Sequence, residues 1–190
     1  MPPIKKFPKE SIIETAYNIV KEEGFEQVNA RRIAKELGCS VQPIFHNFTS
    51  MEDLNKAVYE KIYNKYKEYM LSKENEEKAY KEMGLSYIKF AKDYPEFFKI
   101  VFMQKTTLDA VNFVMADSIG DNVIKVGQKL TGFSYEEQKK FHVRVWIFTH
   151  GLACLVATKT ICFQEKEIEK LLGQTVKEML IGYKMEEKKK

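Results

Sequence analysis

Residues that hold metals or carry redox chemistry are scarce in this sequence. Its 190 residues include 3 cysteines and 3 histidines. Cys39, Cys154 and Cys162 are odd in number, far apart, and without the C-x-x-C or Cys/His spacing that zinc or dithiol chemistry needs. They read as reduced, mostly buried thiols in a cytoplasmic protein. There is no G-x-S-x-G, no glycine-rich phosphate loop and no His/carboxylate metal spacing, so neither an enzyme nor a metal or other cofactor is expected. The longest apolar run, VWIFTHGLACLVAT at 145–158, has 14 residues, contains His150 and is bounded by Arg144 and Lys159. A membrane span needs ~20 apolar residues, so this run reads as a buried helix and no membrane partner is expected. The opening MPPIKKFPKES holds no apolar stretch of signal-peptide length, which points away from export.

What is present is an ample apolar supply, 44% of residues hydrophobic and 13% aromatic, enough for one substantial core or two small ones. The formal charge is +4, from 31 basic and 27 acidic residues. That excess permits nucleic-acid binding without arguing for it.

The apolar period is helical almost throughout, and an all-α fold of about nine helices is expected. Ile12, Ile13, Ala16, Ile19 and Val20 form one stripe, ended by Gly24. Asn29 is a suitable cap for a second helix carrying Ile33, Ala34 and Leu37, stopped by Gly38. Ser40 reads as the cap of a third, with Val41, Gln42 and Pro43 in its first turn, where a proline removes no intrahelical hydrogen bond. Ser50 and Asp53 read as a capping box opening a fourth helix to about residue 72. KENEEK at 73–78 reads as a loop. Further helices are expected from there to Pro95, over 96–104, 107–131, 135–161 and 165–183.

Two short helices joined by a three-residue glycine turn make a helix-turn-helix, with Ile44 and Phe48 anchoring the second helix to the core. This explains the uncharged stretch GCSVQPIFHNF at 38–48. A first turn lying against base edges must be short and free of carboxylates. Gln42 suits a bidentate contact with adenine, and Val41 and Pro43 suit a thymine methyl. Arg31 and Arg32 flank the expected groove and are candidates for phosphate contact; Lys5 and Lys6 are either an arm that reaches DNA or a solvated tail. His46 is open between a DNA contact and plain surface. Phe45 and Phe48 sit at helical spacing and read as core rather than contact, with a DNA contact by Phe45 as the alternative.

The run EEGFEQVNARRIAKELG, then GCSVQPIFHNF, then SMEDL, resembles the TetR family of transcriptional regulators, whose usual pattern is G-V-S-x-x-x-L-Y-x-H-F. Cys39, Ile44 and Phe48 are conservative matches. Phe45 stands where that family has a phosphate-binding tyrosine, Asn47 where His or Tyr is common, and Met51 where a lysine is usual. W-I-F-T-H-G at Trp146–Gly151 also looks like the Trp-His-Gly signature of one group of such C-terminal domains. The resemblance implies a DNA-binding head over 1–50, a connecting helix over 51–72, and a ligand-sensing and dimerisation bundle over 73–190. It implies a homodimeric, ligand-responsive repressor released from a palindromic operator in double-stranded DNA by a small, largely apolar effector. The DNA-facing residues are then Lys6, Asn29, Arg31, Arg32, Ser40, Val41, Gln42, Pro43, Phe45 and His46.

Space between bundle helices is where a small-molecule pocket forms, and Phe98, Phe102, Met103, Phe113, Trp146 and His150 are its candidates, although aromatics and His150 in such helices more often only fill the core. The surplus of apolar surface on the last two helices points to a dimer seam holding Phe148, Leu152, Leu155, Leu172 and Val176. The alternative is a helical protein-interaction module whose helix-turn-helix binds no specific DNA.

Overall fold

The computed structural model describes residues 7–71, 79–105, 108, 112 and 118–187. Lys5, Lys6, Phe113, the loop expected over 73–78 and much of the first half of the helix expected over 107–131 fall outside them. Among the described residues there are nine α-helices, a single 3-10 turn and no strand. They are α1 (Lys9–Glu23), α2 (Ala30–Leu37), α3 (Gln42–Asn47), α4 (Met51–Leu71), α5 (Ala79–Asp93), α6 (Pro95–Phe102), α7 (Ser118–Thr131), α8 (Tyr135–Ala157) and α9 (Glu165–Glu187), with the turn at Phe25–Gln27. None of these helices is long and apolar enough to cross a membrane.

The chain divides into two compact units. One holds the residues up to Tyr66 together with Tyr94–Gln104; the other holds Lys67–Asp93 and the residues from Lys105 on. Helix α6 thus belongs with the head, although the sequence pattern groups it with the residues after 73. The reason is aromatic packing across a long sequence interval. Phe97 is fully buried and its ring lies 4.7 Å from that of Tyr17 on α1 and 5.3 Å from Tyr94. In this unit α1 packs against α2, α3 and α6. Ile12, Ala16, Val20, Ile33, Ile44, Leu54, Val58, Ile62, Phe97 and Phe98 are completely buried. Each large one contributes on the order of 1.5–3 kcal/mol by leaving water.

In the second unit α8 packs against α5, α7 and α9. Its start is fixed as its sequence suggests. Ser134 Oγ accepts from the Glu137 N–H at 3.3 Å, and Glu137 Oε2 accepts from the Ser134 N–H at 2.8 Å. Its end comes four residues before the expected 161. Lys159 adopts a left-handed φ of 55°, and the Thr160 and Lys159 N–H groups donate back to Leu155 and Val156 at 3.1 Å each, so the last carbonyls are satisfied without another turn. Helix α9 runs on to Glu187, past the expected 183, as its buried Tyr183 joins Phe141 and Val145 in one apolar cluster. On α5, a Cβ at Gly84 would lie 3.1 Å from Leu172 Cδ2 of α9, so a bare glycine permits this close crossing.

Two buried polar side chains of this unit, Gln138 and His142, meet a partner on a neighbouring helix. Thr131 Oγ1 donates to Gln138 Oε1 at 2.7 Å, and the Tyr80 hydroxyl lies 2.9 Å from His142 Nδ1. Burial pushes the His142 imidazole down to about 4 from an ordinary 6.5. The folded protein therefore holds His142 neutral at pH values where an unfolded chain protonates it. Stability from this group is complete above about pH 6.5 and is lost progressively as pH falls toward about 4. The wild type is expected to lose about 2 kcal/mol between about pH 7 and about pH 5. His142→Gln should remove most of that loss, and urea denaturation of both proteins at the two pH values checks it.

Candidate functional site

The helix-turn-helix is built around Gly38. Helix α2 starts at Asn29, whose Oδ1 accepts from the Arg32 N–H at 2.9 Å, and ends with Gly38 at φ 65°, ψ 39°. The Gly38 N–H donates to the Lys35 carbonyl at 3.2 Å, and the Cys39 N–H to the Ala34 carbonyl at 2.9 Å. This is a Schellman closure, and its left-handed position costs a residue with a Cβ on the order of 1–2 kcal/mol.

Helix α3 begins one residue later than its sequence suggests. Val41 occupies the cap position in right-handed helical conformation (φ −70°, ψ −14°), and no side chain caps the helix. Ser40 is thus not a cap, and its hydroxyl is free of any described partner. Pro43 falls within the first two positions, where it is tolerated. At the next helix the capping box is only half made. Ser50 Oγ accepts from the Asp53 N–H at 3.2 Å, but Asp53 Oδ2 accepts from the N–H and hydroxyl of Thr49 at 3.1 and 3.2 Å rather than from Ser50.

Burial divides α3 into two sides. Ile44 and Phe48 are 0% and 2% exposed, and point into the core; Val41, Gln42, Phe45 and His46 lie exposed on the opposite side, with Pro43 half-buried. Phe45, at 51% exposure, is therefore surface and not core. Gln42 and His46 make no hydrogen bond to any described residue, so their donors and acceptors face solvent. Together with Ser40 they form a contiguous surface, and residues 38–48 hold no aspartate, glutamate, lysine or arginine.

The flanking residues have different standing. Arg31 is exposed and makes no ion pair with any described residue. Arg32 is engaged. Its guanidinium donates to Glu23 at 2.5 and 3.2 Å and to Glu36 at 3.0 Å, and these bonds with Glu23 and Glu36 raise its pKa. Asn29 is likewise occupied by capping α2. Asn47, which departs from the family pattern, has a role its sequence position did not disclose. Its Nδ2 donates to the Pro43 carbonyl at 2.8 Å and to the Phe7 carbonyl at 3.2 Å, tying the chain before α1 to α3. Nearby, Lys9 Nζ lies 4.8 Å above the Phe48 ring.

The five described candidate ligand residues are divided between the two units. Phe98 is fully buried in the head, its ring 5.3 Å from Phe102, which in turn packs 4.9 Å from Tyr66; Met103 is exposed. Trp146 and His150 belong to the second unit. There the two rings stack at 4.6 Å, His150 Nδ1 lies 2.9 Å from the Tyr87 hydroxyl, and Nε2 lies 3.4 Å from Cys154 Sγ. Burial lowers the His150 pKa and raises that of Cys154. Cys154 was readable as the residue one helical turn from His150. Tyr87 was not, since α5 meets α8 only in the fold.

Of the candidate seam residues, Leu152 and Leu172 are buried within this unit's own core, where Leu172 fills the space left by Gly84. They are core residues, because the unit's own helices already cover them. Phe148, Leu155 and Val176 are half-buried. Exposed apolar side chains lie elsewhere on these helices, at Ile147, Leu171, Ile181 and Met185.

Residues 12–58 match the family described as bacterial regulatory proteins, tetR family. Among curated proteins there is no significant match. Solved structures share the fold over nearly the whole chain. A TetR-like transcriptional regulator from Rhodococcus sp. RHA1 superposes with a TM-score of 0.66 at 14% identity, covering 96% of this chain and 99% of the other. A TetR variant from Acinetobacter baumannii AYE in complex with minocycline gives 0.56 at 15% identity over 95% and 98%. The fatty acid degradation regulator FadR from Bacillus halodurans gives 0.54 at 18% over 93% and 96%. Residues 12–58 thus carry the helix-turn-helix match to the tetR family of bacterial regulatory proteins, and the chain as a whole shares its all-helical fold with solved TetR-like regulators.

Proposed function

We propose that the protein is a ligand-responsive transcriptional repressor, which binds a palindromic operator as a homodimer and leaves it when a small, largely apolar effector occupies the second unit. The exposed side of α3 carries this reading. Gln42 and His46 present unpaired hydrogen-bonding groups on a rigid helix of a helix-turn-helix, free of the carboxylates that phosphate would repel. The minocycline bound in the similar Acinetobacter structure supports a small-molecule effector. In this chain the half-buried Trp146, His150 and Cys154, with the buried Tyr87 behind His150, offer such a molecule a few polar atoms on an apolar wall.

The dimer rests on Ile147, Leu171, Ile181 and Met185, which are 39–62% exposed on α8 and α9. A two-fold partner that covers them with the same helices builds a four-helix seam and spaces two α3 helices about 34–36 Å apart, or a multiple of that, as successive turns of DNA require. A second reading, a helical interaction module, is favoured by Phe45 and Met51, which lack the hydroxyl and ammonium of the family pattern. A band shift with the DNA upstream of the protein's own gene separates the two. Failure of a folded dimer to retain that DNA over random duplex decides for the interaction module.

Gln42→Ala is expected to weaken specific binding by about 1–3 kcal/mol and to leave random DNA binding unchanged, as parallel titrations will show. Arg31→Ala should make the salt slope shallower by about 0.9 for each phosphate left without its cation, whereas Arg32→Ala, whose guanidinium already serves Glu23 and Glu36, should leave the slope in place. Equal slopes for both variants would remove Arg31 from the interface. Sedimentation at micromolar concentration should give a dimer, and Ile147→Glu should give monomers with weakened operator affinity.

A further inference from the structure

The exposed side of α3 is organised in two columns. At about 100° per residue, positions 41 and 45 stand about 40° apart and one turn removed, and so do positions 42 and 46. Val41 and Phe45, 38% and 51% exposed, thus form an apolar column beside a polar one of Gln42 and His46. The apolar column has no role in the core, which Ile44 and Phe48 already serve. Phe45 makes no aromatic pair with any described residue. A bare phenylalanine ring held in water on a helix whose neighbours are satisfied calls for an apolar counterpart.

The same stretch holds no lysine or arginine between residues 38 and 48. The commonest guanine contact, a cationic side chain on O6 and N7, therefore has no Arg or Lys donor on α3. In the major groove the one apolar feature of any base edge is the C5-methyl of thymine, and the edge that an amide matches bidentately is N6 and N7 of adenine. Both columns select the same base pair from different sides of the helix.

Resting on the DNA-binding reading above, we infer that α3 reads an A·T-centred half-site through thymine methyl groups seated against Val41 and Phe45, with Gln42 on adenine. Specificity then depends on hydrophobic contact with base methyls, and phosphate contacts from elsewhere in the head supply only position. An apolar column of this kind also fits a protein partner, and the experiment distinguishes the two.

The full-length protein is used to select duplexes from a random-sequence pool, and the recovered site is resynthesised with deoxyuridine in place of thymine across the half-site cores. Uracil keeps O4 and its pairing and lacks only the methyl. The expected result is an A·T-rich core and a loss of about fourfold in affinity per buried methyl, about fifteenfold for one methyl in each of two half-sites. Phe45→Ala, which keeps Val41, should narrow the difference between the thymine and uracil duplexes. Val41→Ser, a second exposed change, should narrow the same difference, so that a folding defect in one variant leaves the other to decide. Equal binding of both duplexes by the wild type overturns the methyl reading and leaves DNA binding standing. Selection that enriches no sequence overturns the DNA-binding reading itself and assigns the Val41–Phe45 column to a protein partner.

Discussion

The left-handed residue at Gly38 is the constraint on which the head depends. By letting the Cys39 N–H reach the Ala34 carbonyl, it ends α2 sharply and turns the chain within three residues. That tight turn fixes which side of α3 is buried. Ile44 and Phe48 then enter the core formed by α1 and its neighbours, and every other property of α3 follows: Val41, Gln42, Phe45 and His46 are left outside because the opposite side is taken. The functional surface is in this sense the remainder after the core has been satisfied. A slower turn would rotate α3 and exchange the two sets of residues.

Much of this was legible in the sequence because it is local. Apolar spacing located the helices, Asn29 and Gly38 bounded α2, and Ser134 with Glu137 opened α8. Where a local rule met competition, the structure departed from it. Ser40 lost its capping role because Val41 is already helical, and Asp53 turned to Thr49 instead of completing a box with Ser50. The placement of α6 in the head was not legible at all, since it depends on Phe97 meeting Tyr17 some eighty residues earlier in the chain.

The candidate sites show the same division between local and tertiary information. Residue types on α3 could be read directly, but the exposure of Phe45 could not, because helical spacing alone places it equally well in a core. Arg31 and Arg32 are adjacent and alike in sequence, yet Arg32 is held by Glu23 at the end of α1 and by Glu36 one turn along its own helix. Only the fold brings Glu23 within reach. Leu152 and Leu172 fit an apolar seam by pattern and fill the unit's own core in fact, while the side chains left uncovered are Ile147, Leu171, Ile181 and Met185.

The hydrogen bond from Asn47 to the Phe7 carbonyl has a practical side. It holds Phe7 at the last turn of α3, in the same unit as the surface assigned to base reading. A purification tag or fluorescent label fused ahead of Phe7 would start from that point and compete for the space that a duplex needs. A label attached after α9 begins in the other unit. For any measurement of this protein on DNA, the point of attachment is therefore itself an experimental variable, and a position just ahead of Phe7 is the one to avoid.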